Sequence, residues 1–305
     1  MKIFVTGGAG FIGNHLVNTL LKNGNIITIF DNFSNSDKTS ISSFLDKGVK
    51  VIEGDITKLE DITNASKDHQ VVIHLAAKIS VKDSIKNPCE TFRVNVDGTK
   101  NVLTACKINN IKKLIVASSA AVYGEGNQNS KLTEKSKTNP ISPYGESKIM
   151  MEKEIKKNAS NYNIEYVILR FFNIYGIGQS SEYAGVITKF LEKIQNNENL
   201  VVFGDGMQTR DFVSIQDVVN LIYDVLTHDK NGIFNIASGK VTTIKELAEM
   251  MISLSKENLK IDFLPLRKGD IKHSAADISL AKENFDFTPI IDLKNGIKNL
   301  LNLKI

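Results

Sequence analysis

Three side chains in this 305-residue chain have the types and spacing needed for acid–base chemistry. Tyr144 and Lys148 stand four residues apart in the segment PYGESK, and Ser119 follows an apolar run in the segment SSAAVYG. A helix that begins near Pro143 would place Tyr144 and Lys148 on one face, one turn apart. A lysine ammonium favours the phenolate form of a nearby tyrosine, and Ser119 could orient a hydroxyl and share its proton with Tyr144. The trio therefore predicts proton transfer at one alcohol group.

A single Tyr-x-x-x-Lys pattern arises easily by chance, but here it accompanies a glycine-rich turn. The segment TGGAGFIG, residues 6–13, follows a strand-like run and opens a helical pattern. Glycines in that place permit a tight turn and a close approach of the backbone to a pyrophosphate, and the helix N-terminus offers free N–H groups to the phosphates. We expect this turn to bind a dinucleotide through Gly7, Gly10, Phe11, Ile12 and Gly13.

Polar and small residues end the next three strand-like runs. A carboxylate at Asp31 can accept hydrogen bonds from the adenosine ribose and would repel a 2′-phosphate, which favours NAD over NADP. Asp55 could hydrogen-bond an adenine amino group, and its alternative role as a helix N-cap is equally open. The segment HLAA, residues 74–77, offers small residues against which a cofactor could lie, whereas His74 itself fits a buried structural histidine better than a catalyst.

Short β-branched runs alternate with helical patterns along the first half of the chain. This alternation predicts an α/β fold, a Rossmann-type doubly wound parallel sheet, with a smaller C-terminal substrate-binding region. We expect an NAD-binding domain at residues 1–173 plus about 206–236, and a substrate-binding domain at about 174–205 plus 237–305. The predicted strands are Ile3–Thr6, Ile26–Asp31, Lys50–Glu53, Val71–Leu75, Leu114–Ser118, Glu165–Arg170 and Ile233–Ile236, and the predicted helices include Ile12–Asn23, Thr91–Asn109 and Gly145–Asn158.

Composition narrows the functional classes. The net charge of +4 comes without a basic run that contains interleaved aromatic residues, which argues against nucleic-acid binding. The two cysteines and five histidines lack metal-ligand spacing, so no metal site is expected. No apolar run is long enough to span a membrane and the chain opens on a strand-like run instead of a signal peptide, so we expect a cytoplasmic protein.

Together, these segments resemble the extended short-chain dehydrogenase/reductases, in particular the nucleotide-sugar epimerases and dehydratases. The resemblance extends to about Phe287, and its motifs keep the family order. It implies NAD as cofactor, a UDP-sugar as substrate, and a homodimer formed through helices 91–109 and 145–158. The segments that carry it are TGGAGFIG, the strand-end Asp31, GDI, HLAA, NVDGT, SSAAVYG, YGESK, RFFNIYG, GDGMQTRDFVSIQDV and RKGDIKHSAAD.

The resemblance also implies individual contacts. Lys78 stays open between a substrate contact and a solvated charge, and Val186 between a nucleotide-base contact and ordinary core. By resemblance, Arg210 and Arg267 grip the diphosphate, which suits the planar fork of arginine. Implied cofactor contacts are Asn32, Asp55, Ile56, Leu75, Ala76, Ala77, Asn95, Tyr144, Lys148 and Phe171, and implied substrate contacts are Lys78, Ser80, Ser119, Tyr144, Asn173, Val186, Arg210, Arg267, Asp270 and Ser274.

Two positions bear on the reaction and on the sugar. Sugar dehydratases of this family carry Asp-Glu directly after the catalytic hydroxyl, whereas this chain has Ala120 and Ala121, which transfer no protons. This difference favours a 4-epimerase. Ser274 matches a position where a bulky tyrosine admits hexoses only, so a small side chain leaves space for a 2-acetamido group. We expect UDP-Glc/UDP-Gal, UDP-GlcNAc/UDP-GalNAc, or both pairs as substrates.

Three rival functions remain at this point. A UDP-glucuronate 4-epimerase is compatible with the same trio. An NAD(P)-dependent 4-keto-sugar reductase would normally need NADPH, which Asp31 disfavours. An NAD-binding regulatory protein on this fold would typically lack the Tyr144 and Lys148 pair.

Overall fold

The computed structural model describes residues 1–128, 130–179, 185–267 and 270–302. Its strands are β1 Lys2–Thr6, β2 Ile26–Asp31, β3 Lys50–Glu53, β4 Val71–His74, β5 Lys113–Ser119, β6 Glu165–Phe171, β7 Asn173–Tyr175, β8 Leu200–Phe203, β9 Thr209–Arg210, β10 Phe212–Ser214, β11 Gly232–Ile236, β12 Thr242–Thr243 and β13 Ile261–Leu264. Its α-helices are α1 Phe11–Lys22, α2 Ser42–Leu45, α3 Leu59–Ala65, α4 Val81–Lys86, α5 Pro88–Phe92, α6 Gly98–Ile108, α7 Pro143–Ala159, α8 Val186–Gln195, α9 Ile215–Val225, α10 Ile244–Ser255, α11 Ser279–Phe285 and α12 Leu293–Asn302.

A seven-stranded parallel sheet runs in the order β11-β6-β5-β4-β1-β2-β3. The order reverses between β1 and β4, as it does at the switch point of a doubly wound sheet. Strand β1 pairs with β2 in the register Thr6↔Phe30 and with β4 in the register Thr6↔His74. The predicted fold class is confirmed, and the seven predicted strands recur with ends that move by no more than one residue.

Burial on both faces explains why these short runs become central strands. Every residue of β4 is buried, and the apolar faces of α3, α6 and α7 pack against the sheet through Ile62, Leu103 and Met151. Removal of this apolar surface from water stabilises the sheet by roughly 25 cal/mol per Å² buried. The carboxyl ends of β1, β4 and β5 are thereby fixed side by side, since they are neighbours in a parallel sheet.

The helix predicted at 91–109 differs from the observed structure. Helix α5 ends at Phe92, a π-helical turn spans Arg93–Asp97, and α6 then runs from Gly98 to Ile108. A π-helical turn inserts an extra residue into the helical repeat and is frequent at functional sites. Here the turn contains Asn95, whose side chain is buried.

The chain divides into two compact units. The first comprises residues 1–122, 142–170 and 219–234, and the second comprises 123–141, 171–218 and 235–305. This division differs from the predicted domains because 123–141 and 206–218 belong to the second unit. Within that unit, Leu132 pairs with Ala276 and β10 pairs in parallel with β7, which ties both segments to its other strands.

The second unit has its own apolar core, to which α8, α10, α12 and β8 contribute. Tyr175 at the end of β7 is buried in it, and a Cβ on Gly296 of α12 would lie 2.2 Å from the Tyr175 hydroxyl oxygen. Among the described residues, that hydroxyl has no hydrogen-bond partner. An unpaired buried hydroxyl lowers stability, because it has given up its hydrogen bonds to water.

Removal of this hydroxyl is therefore expected to be harmless. Tyr175→Phe should change the free energy of unfolding by less than about 0.5 kcal/mol or raise it slightly. The matched control is Tyr123→Phe, since the buried Tyr123 hydroxyl donates to Asn235 Oδ1 at 2.6 Å. That variant should lose about 1–3 kcal/mol because it orphans the Asn235 acceptor. Urea unfolding measures both, and equal losses would contradict the assignment.

Candidate active site

The glycine-rich turn joins β1 to α1 in the first unit. Gly7 has φ +70° and donates its N–H to Phe30 O at 2.9 Å. A Cβ on Gly13 would lie 2.4 Å from Gly7 O, so the turn and the first helical turn are in direct backbone contact. Gly10 is the N-cap of α1 and has no side chain to occupy the free N–H groups of the first turn. Those groups therefore remain available to an anion.

A methyl group at Gly7 should damage this turn. Gly7→Ala places a Cβ 2.6 Å from Ala76 N in addition to the strain of a positive φ, so we expect a stability loss of about 2–5 kcal/mol and at least tenfold weaker NAD binding. The matched control is Gly24→Ala, where φ is +73° but no atom lies within 4 Å of the added Cβ. It should lose only about 1–2 kcal/mol and bind NAD normally. Equal effects of both variants on NAD titrations would contradict the role of the turn.

Asp31 lies at the end of β2, beside this turn. Its Oδ2 accepts from Ala9 N at 3.0 Å and its Oδ1 from Phe33 N at 2.9 Å. Burial raises the pKa of Asp31, and the hydrogen bonds from Phe33 and Ala9 oppose that rise. The backbone thus fixes the carboxylate beside the glycine-rich turn, where its oxygens could accept from a ribose hydroxyl.

Asn32 and Asp55, which directly follow β2 and closely follow β3, are also expected to contact the cofactor. Each accepts a hydrogen bond from a backbone N–H two residues further along the chain. Asp55 Oδ1 accepts from Thr57 N at 2.9 Å, and Asn32 Oδ1 accepts from Ser34 N at 3.1 Å. The N-cap of α3 is Lys58, so Asp55 does not cap that helix. Ile56 is buried in the core of the first unit.

His74, at the end of β4, lies in a buried hydrogen-bonded chain. Its Nδ1 is 2.7 Å from Thr6 Oγ1 and its Nε2 is 2.9 Å from Thr99 Oγ1. Because the Thr99 hydroxyl donates to Asn95 O, it accepts from Nε2–H of the ring. Burial, with repulsion from Lys148, lowers the His74 pKa to about 3. The ring therefore transfers no proton near neutral pH and acts as a structural link, in line with the sequence-based expectation.

Asn95 connects the loop after β4 to α7. Its Oδ1 accepts from Lys78 N at 2.8 Å, and its Nδ2 donates to Lys78 O and to Ser147 Oγ, each at 2.9 Å. Ser147 in turn donates to Tyr144 O at 2.7 Å. Through the backbone of Lys78, Asn95 thus positions the preceding segment of Leu75, Ala76 and Ala77. Further along the chain, Ser80 caps α4 by accepting from Asp83 N.

Helix α7 begins where the sequence predicts. Ser142 caps it by accepting from Gly145 N at 3.2 Å, and Pro143 occupies the first turn, where its missing N–H is harmless. The first turn places the Tyr144 hydroxyl close enough to the Ser119 side chain for that side chain to lower the Tyr144 pKa. Ser119 Oγ accepts from Ala121 N at 3.1 Å, which orients the hydroxyl.

Lys148 is almost completely buried beneath the tyrosine. Its Nζ donates to Ala117 O at 2.9 Å and lies 5.9 Å from the centroid of the Tyr144 ring. Burial lowers the Lys148 pKa to about 8, against an opposing effect of Glu152. Burial likewise raises the pKa of Tyr144, and the nearby Ser119 side chain opposes that rise. The sequence analysis expects Lys148 to lower the Tyr144 pKa, whereas in the protein by itself that pKa is raised, because burial is the largest effect.

Sequence reasoning missed a buried ionic cluster directly behind this trio. Glu152 accepts from the Ser118 hydroxyl at 2.6 Å and forms two hydrogen bonds with Arg170, at 2.9 and 2.6 Å. The sequence contains one signal of this cluster: Glu152 follows Lys148 by four residues and therefore lies on the same face of the helix.

The residues expected to contact the diphosphate lie in the second unit. Arg210 donates to Asp270 Oδ1 at 2.8 Å in a partly buried ion pair, and Asn173 Nδ2 donates to Asp211 O at 3.1 Å. The guanidinium carbon of Arg267 stands 3.5 Å from the centroid of the Phe203 ring. The second unit therefore carries two arginines, Arg210 and Arg267, and the aromatic ring of Phe203, which could contact a nucleotide diphosphate.

The other residues of the second unit that the sequence analysis expects to contact the substrate or the cofactor are buried or half-buried. Ser274 is 7% exposed and lies in a segment that hydrogen-bonds on both sides, since Thr209 N donates to Lys272 O and Leu132 N donates to Ala275 O. Val186 begins α8 and packs against the apolar core, and Phe171 is buried at the end of β6.

Comparisons with known proteins identify the family. Residues 3–237 match the NAD dependent epimerase/dehydratase family. The chain belongs to this family. A Methanocaldococcus jannaschii protein provisionally named a UDP-glucose 4-epimerase is 40% identical over 98% of this chain and 97% of its own.

Two similar solved structures contain different UDP-sugars. A UDP-N-acetylglucosamine 4-epimerase from Methanobrevibacter ruminantium, in complex with UDP-N-acetylmuramic acid, is 37% identical with a TM-score of 0.93 and coverage of 98% and 96% of the two chains. A UDP-glucuronic acid 4-epimerase from Bacillus cereus, in complex with UDP-glucuronic acid and NAD, is 32% identical with a TM-score of 0.92 and coverage of 99% and 98%.

The chain is thus an NAD-dependent member of the nucleotide-sugar epimerase family, as the sequence resemblance implies. The first unit fits NAD, since Gly10 has no side chain to occupy the free N–H groups of the first turn of α1 and Asp31 stands beside that turn. Among residues 1–128, 130–179, 185–267 and 270–302, no helix is long and apolar enough to cross a membrane, and no cluster of three His, Cys, Asp or Glu side chains could hold a metal ion.

Proposed function

We propose that this protein is a nucleotide-sugar 4-epimerase that inverts C4 of UDP-hexoses, with both UDP-Glc/UDP-Gal and UDP-GlcNAc/UDP-GalNAc as substrate pairs. The observation that carries the proposal is the placement of Tyr144 on α7, within interaction range of Ser119 and one helical turn before the buried Lys148, with only alanines after Ser119. Such a site can remove and return one proton, and both directions of an epimerisation need this step.

Tyr144 takes the proton of the C4 hydroxyl and later returns it, and Ser119 holds that hydroxyl and shares the proton. When bound, NAD supplies a positively charged nicotinamide ring that accepts the C4 hydrogen as hydride, returns it, and favours the phenolate form of Tyr144. Lys148 adds a second positive charge at 5.9 Å from the phenol ring centroid. Return of hydrogen to the opposite face of the 4-keto sugar inverts C4.

The alanines favour epimerisation over loss of water. Elimination across C5 and C6 requires an acid and a base beside the sugar, and the side chains of Ala120 and Ala121 supply neither. Ala121 contributes only its backbone N–H, which donates to Ser119 Oγ at 3.1 Å. The site can therefore oxidise and reduce one alcohol but has no group at these two positions for a second proton transfer.

The arginines of the second unit would bind the UDP diphosphate. Arg210 already pairs with Asp270, so that carboxylate orients the guanidinium fork before a ligand arrives. The guanidinium carbon of Arg267 stands 3.5 Å from the centroid of the Phe203 ring, and its N–H groups could donate to phosphate oxygens. The mild net positive charge of +4 suits an anionic substrate.

The acetamido pair is proposed because Ser274 is small, and a relative at 37% identity is described as a UDP-N-acetylglucosamine 4-epimerase. Ser274→Tyr should lower kcat/KM for UDP-GlcNAc by at least tenfold and change that for UDP-Glc by less than threefold, because the ring fills the space of the acetamido group. Ser274→Ala is the control and should leave both values near those of the wild type. Equal losses for both sugars in Ser274→Tyr would contradict this role.

The test of the proposed function is a product assay. Purified protein is incubated with UDP-Glc, UDP-GlcNAc or UDP-GlcA without added reductant, and the sugars are identified by NMR. We expect the C4 epimers of the first two. Conversion of UDP-GlcA alone would replace the proposal with a uronate epimerase, and loss of water or carbon dioxide would replace it with a different reaction. An absence of any product would refute it.

A further inference from the structure

The buried carboxylate of Glu152 joins three elements of the first unit. It lies on α7, it accepts from Ser118 at the end of β5, and it pairs with Arg170 near the end of the neighbouring strand β6. All three residues are 4% exposed, so the cluster is shielded from solvent. The proposed mechanism assigns no step to any of them.

The three hydrogen bonds fix the carboxylate fully. Oε1 accepts from the Ser118 hydroxyl at 2.6 Å and from Arg170 Nε at 2.9 Å, while Oε2 accepts from Arg170 Nη2 at 2.6 Å. Such charge-assisted bonds are short and strongly directional. Rotation of the Glu152 side chain, or a shift of α7 along β5, would break them.

Glu152 and its partner Ser118 lie on the two elements that carry the proposed catalytic trio, α7 and β5. Glu152 follows Lys148 by four residues and Tyr144 by eight, so all three lie along one face of α7. Ser118 directly precedes Ser119 on β5, and alternation along a strand sends their side chains to opposite sides. A bond to Ser118 from α7 therefore sets the position of the Ser119 backbone relative to the helix that carries Tyr144.

A gain in the free energy of unfolding does not by itself explain why a buried ionic cluster is present here. The desolvation of a buried ion pair largely offsets its attraction, and apolar residues of similar size often stabilise a protein as well or better. A buried ionic cluster defines one geometry in a way that interchangeable apolar contacts do not. The Glu152 carboxylate also opposes the fall in the Lys148 pKa that burial causes.

We propose that Glu152 is a positioning residue, which holds the end of β5 against α7 through Ser118 and the end of β6 against α7 through Arg170, and thereby sets the Ser119–Tyr144 contact needed for proton transfer. This inference rests on the proposed function, since it assigns the trio to proton transfer. Its structural content is separate: the Ser118 hydroxyl controls the environment of the Tyr144 phenol.

The test acts on Ser118, because removal of Glu152 would take the carboxylate of this ion pair away from the buried Arg170 and could prevent folding. Ser118→Ala deletes only the hydroxyl that reaches Glu152, and Ser118→Thr restores a hydroxyl there. The matched control is Ser66→Ala, which deletes another buried serine hydroxyl of the same unit, one that accepts from Asn109 Nδ2. Each variant is assayed for kcat, KM and NAD affinity, and the ¹³Cζ resonance of Tyr144 is recorded by NMR, assigned by its absence in Tyr144→Phe.

For Ser118→Ala we expect a 10- to 100-fold lower kcat, with KM and NAD affinity within about threefold of the wild type, and a shifted Tyr144 resonance. Ser118→Thr should recover most of kcat and the resonance position, and Ser66→Ala should change neither. An unmoved Tyr144 resonance, or a kcat loss no larger than that of Ser66→Ala, would overturn the inference. If wild-type protein epimerises no UDP-sugar, the proposed function fails, and the NMR comparison still decides the Glu152 inference by itself.

Discussion

Tyr144→Phe is expected to lose at least about 10³-fold in kcat while it retains NAD. The phenol is the only group at the site proposed to take the C4 proton, and general acid–base groups typically contribute about 10²–10⁴-fold. The ring itself remains, so the packing of α7 should be kept. The measurements are kcat by NMR and the NAD content after gel filtration.

Tyr166→Phe is the matched control, because Tyr166 is a partly buried tyrosine that packs against the core of the first unit. It should keep both kcat and NAD content near wild-type values. A Tyr144→Phe variant that turns over at the wild-type rate would refute the assignment of the base. Loss of NAD together with turnover would show a binding defect in place of a proton-transfer defect.

Lys148→Met is expected to make the NAD-free protein more stable and nearly inactive. Burial holds the Lys148 pKa at about 8, below its ordinary value of 10.5, so the fold opposes the charge that the proposed chemistry uses. Methionine has a similar length and no charge to desolvate. At pH 7 we expect a gain of about 1–3 kcal/mol in the free energy of unfolding, reduced by the lost hydrogen bond to Ala117 O, and at least about 10²-fold lower kcat.

The gain should depend on pH with a definite sign. Between about pH 8 and 10.5 the unfolded lysine binds more protons than the folded one, so the stability of the wild type rises with pH through this window. The advantage of Lys148→Met is therefore full below about pH 8 and disappears toward pH 10.5. Urea unfolding at both ends of the window measures it, and an advantage that does not change with pH would contradict the assignment.

Lys113→Met provides the comparison for activity. Lys113 is also buried, burial also lowers its pKa, and its Nζ donates to the backbone carbonyls of Leu226 and His228. Its variant should retain kcat. A similar loss of kcat in both variants would indicate that Lys148 supports activity through the folded structure, as any buried lysine of this unit would, and not through a charge beside Tyr144.

Local patterns explain the parts of the molecule that the sequence predicts well. The strands of the sheet are continuous apolar runs. Residues only a few positions apart in the sequence also define the glycine turn, the strand-end Asp31 and the Tyr144–Lys148 pair. Helix α7 begins as predicted because Ser142 and Pro143 form a local start signal.

Long-range contacts explain what the sequence leaves open. Glu152 meets Ser118 and Arg170, which are 34 and 18 residues away, and Asn95 meets Ser147 at a separation of 52. No local pattern encodes these pairs. The π-helical turn around Asn95 and the raised pKa of Tyr144 depend on packing and burial, which exist only once the sheet and helices have assembled.

The most direct test of reversible oxidation at C4 uses UDP-Glc that carries deuterium at C4, with the reaction run in ordinary water. If the site oxidises and reduces only that carbon, the deuterium leaves C4 and returns to it, so the UDP-Gal product retains the label. The parallel reaction of unlabelled substrate in D₂O should introduce no deuterium at C5. Loss of the C4 label, or solvent deuterium at C5, would contradict the account.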